Sequence, residues 1–163
     1  MNRQRWLLAS AIALFVLLGA VLVISRVPDP LFPNDYSKMV LAADGRILRV
    51  FLNQGEQWIL PPDGAEVPAK LKTAVIHYED KRFESHWGID PLALLRALWQ
   101  NIFRGERISG ASTITMQVAR LAKPKPRTVG NKLVEMLQAL RLELKYSKDE
   151  ILKLYLTHAP YGG

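Results

Sequence analysis

Acids, bases and a histidine are concentrated in one short stretch near the middle of the chain. Glu79, Asp80, Arg82 and His86 fall within it. A carboxylate can take a proton from an attacking hydroxyl, and nearby cations can stabilise a developing negative charge. A solvated run of charges would explain the same residues, and a single histidine is usually structural. This stretch therefore indicates chemistry only if a second segment supports it.

The second segment, Gly110–Arg120, begins with a glycine and is rich in hydroxyl side chains. Ser112, Thr113 and Gln117 lie where a loop is predicted to enter a helix. The N-terminus of a helix attracts anions because its first backbone N–H groups are unpaired. An ordinary helix capped by Ser112 is the alternative interpretation.

Together these segments resemble the motifs of glycosyltransferase family 51, the peptidoglycan polymerase domain of class A penicillin-binding proteins and monofunctional transglycosylases. Glu79–Phe83, with His86 and Gly88, is similar to the first motif, and Gly110–Gln117 is similar to the second. Lys132–Glu135 is similar to the third motif, and the similarity continues into the start of the next motif through Ala139, Leu142-Glu143, Ser147-Lys148, Glu150–Leu152 and Tyr155-Leu156.

The resemblance covers Pro68–Gly163 and has two departures. Met116 precedes Gln117 where the family has two glutamines, and Thr157 stands where an asparagine is common. The resemblance also predicts that the transferase domain is C-terminally incomplete.

The resemblance implies that lipid II is polymerised into β-1,4 glycan strands, with inversion at the anomeric carbon and release of undecaprenyl pyrophosphate. It implies that Glu79 is the general base that deprotonates the acceptor hydroxyl. Arg82, Arg120 and Lys132 suit stabilisation of the pyrophosphate. Glu135, which matches the family's second glutamate, is then expected to position or neutralise these cations.

The remaining residues predicted to bind substrate have supporting tasks. Ser112, Thr113 and Gln117 are expected to bind phosphate or sugar hydroxyls, whereas Asp80, Phe83, His86 and Arg96 complete the cleft. No metal-ligand cluster stands out in the sequence, so no cofactor is required. A divalent cation, Mg or Mn, could still assist the pyrophosphate.

An apolar run near the N-terminus predicts how the chain is anchored. Trp6–Ser25 contains no charged side chain and is about as long as a bilayer-spanning helix of roughly 20 residues. Arg3 and Arg5 precede it and favour a cytoplasmic N-terminus. We therefore expect a single-pass protein of the bacterial inner membrane whose C-terminal part is periplasmic or extracellular. A buried core helix is the alternative.

The expected fold is mainly α, with three consecutive parts. Residues 1–26 form a cytoplasmic tip and transmembrane helix, residues 27–66 a proline-rich spacer and a small β element, and residues 67–163 part of a lysozyme-like helical glycosyltransferase domain. Asp44-Gly45 predicts a two-residue hairpin turn in the β element.

Helical spacing predicts the elements that carry the motifs. One helix runs from about Pro68 to Asp80, and another begins at the Asp90-Pro91 cap, with Leu94, Leu95, Leu98 and Ile102 on one face until Gly105. A short helix capped by Ser112 follows. Residues 129–145 form a longer helix, with Leu133, Met136, Leu137, Leu140 and Leu144 as its buried stripe, and Ser147–Glu150 is a capping box for the last helix.

Charge and composition limit the partners. The formal net charge is +7, and the chain contains no cysteine, which excludes disulfides and thiolate metal sites. With an outward-facing anchor, phospholipid headgroups and a phosphate-bearing lipid are favoured over nucleic acid. Expected partners are lipid II, the nascent glycan strand, the bilayer and cell-wall assembly proteins.

Two alternative functions stay open: a lysozyme-like enzyme that cleaves glycan, and an inactive truncated remnant or membrane-anchored interaction protein.

Overall fold

The computed structural model describes residues 3–33, 35–61, 64–104 and 111–160. Within these residues the chain is mainly helical, as predicted. Its elements are α1 (Arg3–Ile24), β1 (Met39–Leu41), β2 (Ile47–Val50), α2 (Ala69–Glu79), α3 (Pro91–Arg104), α4 (Ile114–Ala122), α5 (Val129–Lys145) and α6 (Lys148–His158). A 3-10 turn, Phe83–Ser85, follows α2. In the described parts of the chain, we find no helix with the length and apolar character needed to cross a membrane.

The predicted β element is an antiparallel hairpin in which Met39 pairs with Val50. Its turn differs from the predicted two-residue form. The Ala42 N–H donates to the Arg46 carbonyl, and the Gly45 N–H donates to the Ala42 carbonyl, so three residues form the loop. Gly45 has φ +83°, the left-handed conformation typical of the third residue of such a loop. The predicted turn length was therefore wrong by one residue.

Side-chain caps fix the starts of the helices that surround the site. The Asp90 carboxylate accepts the Ala93 N–H before α3, and Ser147 forms a capping box with Glu150 before α6, both as predicted. The predicted Ser112 cap was wrong, because Thr113 caps α4 by accepting the Met116 N–H at 3.1 Å. Each cap pairs a backbone N–H that the helix cannot pair internally.

The core surrounds α4, which packs against both α5 and α6. Ile114 and Val118 of α4 are fully buried with Phe83 of the 3-10 turn. Leu142 of α5 and Ile151 of α6 complete this cluster. The helix that carries the second motif is therefore the most enclosed part of the domain.

The predicted buried stripe of α5 was largely wrong. The helix buries Glu135, Met136, Gln138, Ala139 and Leu142, while Leu137 is half-buried and Leu133, Leu140 and Leu144 are exposed. Only Met136 was correctly predicted. The polar pair Glu135 and Gln138 can face inward because each is hydrogen-bonded there. Hydrophobic periodicity cannot anticipate such pairing.

The apolar face predicted for α3 is divided by the fold. Leu94 is half-buried and packs with Met116 and Met136, whereas Leu95 and Leu98 are exposed. The side chain of Ile102 lies outside the described residues. The helix therefore contacts the domain along one edge of its apolar face.

Candidate active site

A cleft opens where α2 ends and α4 begins. It encloses about 240 Å³. The described lining residues are Tyr78, Glu79, Asp80, Lys81, Arg82, Asp90, Ala93, Arg96, Ala111, Ser112 and Thr113. Six of the residues predicted from sequence therefore share one cavity: Glu79, Asp80, Arg82, Arg96, Ser112 and Thr113. Residues 105–110, including Gly110 of the second motif, lie outside the described residues.

Glu79 is the last residue of α2 and reaches the cleft half-buried. The side-chain amide of Gln117, on α4, donates to its Oε2 at 2.9 Å. This neutral donor orients the carboxylate without cancelling its charge. The first and second motifs thus meet directly through Glu79 and Gln117.

Asp80 supports the base of the cleft. Its carboxylate is buried, lies 3.0 Å from His86 Nε2 and accepts the Ile114 N–H at 3.1 Å. This last bond ties the residue after α2 to the first residue of α4. The structure therefore places Asp80 and His86 in a buried support between the two helices.

Arg82 and Asp90 form an ion pair on the cleft wall. The guanidinium donates to both carboxylate oxygens at 2.6–2.9 Å. Burial disfavours the charged form of Asp90, but hydrogen bonds from Ala93 and Arg82 outweigh this effect and lower its pKa. Sequence analysis identified Asp90 only as a helix cap, although its position after the first motif could have suggested a partner for Arg82.

Glu135 lies apart from the cavity and is paired with Arg120. Two guanidinium nitrogens donate to its two oxygens at 2.9 and 2.8 Å, and Glu135 is only 4% exposed. Hydrogen bonding to Glu135 raises the pKa of Arg120. The same guanidinium lies 3.5 Å from Ser112 Oγ, so Ser112 connects this pair to the cleft.

Thr113 and Gly88 join the two motifs at a point of close packing. The Thr113 hydroxyl donates to the Gly88 carbonyl at 2.6 Å. Gly88 has φ +72°, and a Cβ added there would lie 2.9 Å from the backbone of Ala139 in α5. Both the conformation and the close approach require glycine.

A buried polar network that sequence analysis did not select lies behind α4. Thr115 donates to Glu143 at 2.6 Å, and Lys148 donates to Glu143 at 2.7 Å and to the His86 carbonyl at 2.6 Å. This network connects α4, α5 and α6 to the segment after the first motif. The available signal was that Glu143 and Lys148 belong to the stretch similar to the third motif and the start of the next.

Two predicted site residues are elsewhere. Phe83 is fully buried in the core, and Lys132 is half-buried on α5 and absent from the described lining of the cavity. Among the residues whose placement is described, no group of three or more His, Cys, Asp or Glu side chains could hold a metal ion.

Two carboxylate sites, those of Glu79 and Glu135, are thus connected through Ser112 and Arg120 on a helical core. A family model described as Transglycosylase matches residues 44–163. The chain therefore belongs to the transglycosylase family, glycosyltransferase family 51, which confirms the resemblance identified from its motifs.

The similar proteins are class A penicillin-binding proteins. Penicillin-binding protein 1C of Escherichia coli is 40% identical over 162 residues, which is 99% of this chain and 21% of that protein. Penicillin-binding protein 1A of Neisseria lactamica is 41% identical over 124 residues, 76% of this chain and 15% of that protein. The chain thus spans about a fifth or less of the length of these relatives.

Proposed function

We propose that this chain is a peptidoglycan glycosyltransferase that polymerises lipid II and releases undecaprenyl pyrophosphate. Family membership supports the reaction class. The observation that carries the assignment of residues is the Glu79 carboxylate, oriented in the cleft by the neutral amide of Gln117. A general base must be accessible and held in place, and the Glu79 carboxylate lines the cleft and accepts a hydrogen bond from Gln117.

In the proposed reaction, Glu79 removes the proton of the sugar hydroxyl that attacks the anomeric carbon of the lipid-linked donor. The bond from that carbon to the pyrophosphate oxygen breaks as the new glycosidic bond forms. Attack opposite the leaving group converts an α-linked donor into a β-linked product. The pyrophosphate leaves as an anion, so it needs cationic stabilisation more than a proton.

Arginines around the cleft would supply this stabilisation to different degrees. Arg96 is exposed on the cleft wall, whereas the charges of Arg82 and Arg120 are already compensated by Asp90 and Glu135. We assign Glu135 the task of holding Arg120 near Ser112 and the pyrophosphate. Lys132 would contribute at longer range.

Assistance by Mg or Mn at the pyrophosphate stays a prediction that addition of a chelator to the reaction would test.

We further propose that α1 anchors the chain in the bacterial inner membrane, with the domain on the periplasmic or extracellular face. The support is compositional, because Trp6–Ser25 has no charged side chain and Arg3 and Arg5 precede it. An anchor would hold the enzyme at the surface that carries its lipid-linked substrate, which raises their effective concentration. The assignment of residues 67–163 to the catalytic domain, and of cell-wall assembly proteins as partners, also stays a prediction.

Polymerisation of labelled lipid II in liposomes tests the proposed function, with products resolved by length. We expect polymer from the unsubstituted chain and a loss of at least about 100-fold for Glu79→Gln. Glu84→Gln is the matched control, because Glu84 is an exposed glutamate outside the cleft lining. Absence of polymer from the unsubstituted chain would contradict its activity. Shortening of added glycan would instead favour the lysozyme-like alternative.

A further inference from the structure

The segment between α1 and β1 was predicted to be a proline-rich spacer, but it packs closely on the helical domain. Leu31 is only 4% exposed and belongs to the cluster formed by Phe83 and Ile151. The ring of Phe32 stacks on His158 of α6, with 3.6 Å between ring centroids. The chain leaving α1 is therefore held against the domain.

Three side chains of α5 contact this segment and the end of α1. Gln138 Nε2 donates to the Arg26 carbonyl at 3.0 Å. Arg141 Nη2 donates to the Leu22 carbonyl at 2.9 Å. Lys145 Nζ lies 3.2 Å from the Asp29 carboxylate. Their spacing of three and four residues places Gln138, Arg141 and Lys145 along one side of the helix.

Gln138 is the buried member of this group, at 1% exposure. Its amide uses both ends, because Oε1 accepts from Lys125 Nζ at 2.9 Å while Nε2 donates to Arg26. A buried amide whose oxygen and nitrogen are both hydrogen-bonded favours one relative position of the segments it joins, since any shift leaves an unpaired polar atom in the interior. Gln138 also lies one helical turn after Glu135. The helix that holds Arg120 in place is thus the helix that holds the end of α1.

We propose that Gln138, Arg141 and Lys145 form an anchor dock, which fixes α5 and the cleft relative to the end of α1. This inference rests on the proposed function. The dock would set the height and orientation at which the cleft meets a substrate whose polyprenyl chain lies in the bilayer. These three side chains are positioning residues, since none of them lines the cleft in the described part of the chain. Small misplacements of a reacting group can reduce the rate strongly.

The test compares two substrates with the full chain reconstituted in liposomes. One substrate is lipid II with its long polyprenyl chain, and the other is a short-chain, water-soluble analogue. In a Gln138→Glu, Arg141→Ala variant, the carboxylate still accepts from Lys125 but can no longer donate to Arg26. Because the variant loses two hydrogen bonds, to the Arg26 and Leu22 carbonyls, we expect KM for membrane-embedded lipid II to rise about 30-fold, corresponding to the loss of about two net hydrogen bonds. Kinetics on the soluble analogue should not change.

Arg127→Ala is the control for lost positive charge, because Arg127 is exposed and no bonded partner is found for it in the described residues. It should leave KM unchanged for both substrates. If the dock variant lowers activity equally on both substrates, or if the control matches it, the proposed dock is overturned.

A covalent link provides a second measurement that does not depend on activity. The chain has no cysteine, so Asp29→Cys and Lys145→Cys introduce a unique labelling pair. These substitutions replace the Asp29–Lys145 ion pair, so the linking rate reports on the two remaining dock contacts, those of Gln138 and Arg141. A short bismaleimide should join the two cysteines readily when Gln138 and Arg141 are present and more slowly in the dock variant. The linked dock variant should recover the original KM for membrane-embedded lipid II. Equal linking rates in both backgrounds would overturn the dock, whereas failure of the unsubstituted chain on both substrates would contradict only the proposed function.

Discussion

The two glutamates of the site have opposite environments. Glu79 is half-buried at the cleft, and a neutral amide from Gln117 contacts one of its oxygens. Glu135 is almost completely buried, and both of its oxygens accept from the guanidinium of Arg120. The same side chain is therefore presented to a ligand in one place and bound to an internal cation in the other.

The partner of a carboxylate therefore determines what that carboxylate can do. An oriented carboxylate in an open cleft can accept a proton from a substrate hydroxyl. A buried carboxylate in a bidentate pair mainly fixes the position of its arginine, because removal of either member leaves an uncompensated charge. If the two carboxylates differ in this way, substitutions around Glu135 should mainly change stability, and substitutions of Glu79 should mainly change activity.

Removal of the Glu135 partner should have the largest effect on stability. Arg120→Ala leaves a buried carboxylate unpaired, and we expect the free energy of unfolding to fall by about 3 kcal/mol, the low end for a broken buried pair. The low end applies because the Arg120 side chain is 30% exposed. Urea denaturation measures the change, with the exposed Arg127→Ala as control. Equal effects of the two substitutions would show that the pair is not a structural support.

A side chain at Gly88 should have the second-largest effect on stability, because Gly88 packs against α5, the helix that carries Glu135. Gly88→Ala places a methyl 2.9 Å from the Ala139 backbone and retains φ +72°, so we expect destabilisation of about 1–3 kcal/mol. Gly130→Ala is a sharp control, because Gly130 is in α5 and a Cβ there meets nothing within 4 Å. Gly130→Ala should stabilise α5 by up to about 1 kcal/mol, because alanine has the higher helix propensity. The same sign for both substitutions would contradict the close packing.

The contribution of the Arg82–Asp90 ion pair to stability should depend on pH in the acid range. The pKa of Asp90 is lowered from 3.8 in the folded chain, so the unfolded chain binds more protons there. Its contribution to stability should be complete above pH 3.8 and should be lost as the pH falls through the lowered folded-state value. Melting temperatures measured across this window should fall more for the unsubstituted chain than for Asp90→Asn. Parallel curves would argue against the Arg82–Asp90 pair.

The smallest predicted effect concerns the orientation of Glu79. Gln117→Leu removes the amide donor and retains the charge of Glu79, so we expect kcat to fall only about fivefold, as for one lost neutral hydrogen bond. Steady-state polymerisation of lipid II measures this change. A loss as large as that of Glu79→Gln would mean that Gln117 takes part in the chemistry beyond orienting the base.

Features determined by neighbouring residues were predicted well from the sequence. The boundaries of α5, the Asp90 cap and the Ser147 capping box all follow from local propensity and hydrogen bonding. Glu79 and Gln117 were identified as site residues only because their motifs resembled a family, and their direct contact was not predicted.

Features determined by tertiary contacts were not predictable. Glu135 and Gln138 face inward on α5 because distant residues pair with them, so the leucine pattern indicated the wrong face. Leu31 is buried because the segment after α1 packs on the core, although its prolines are typical of a spacer. Hydrogen bonds over long sequence separations leave no local pattern.

The most direct test measures kcat and melting temperature for Glu79→Gln and Glu135→Gln, with each variant reconstituted in the same liposomes. If Glu79 is the accessible base and Glu135 the internal support, Glu79→Gln will lose at least about 100-fold in kcat at an unchanged melting temperature. Glu135→Gln will lower the melting temperature by about 5 °C or more. An active Glu79→Gln variant, or a Glu135→Gln variant that is inactive but fully stable, would contradict these roles of the two glutamates.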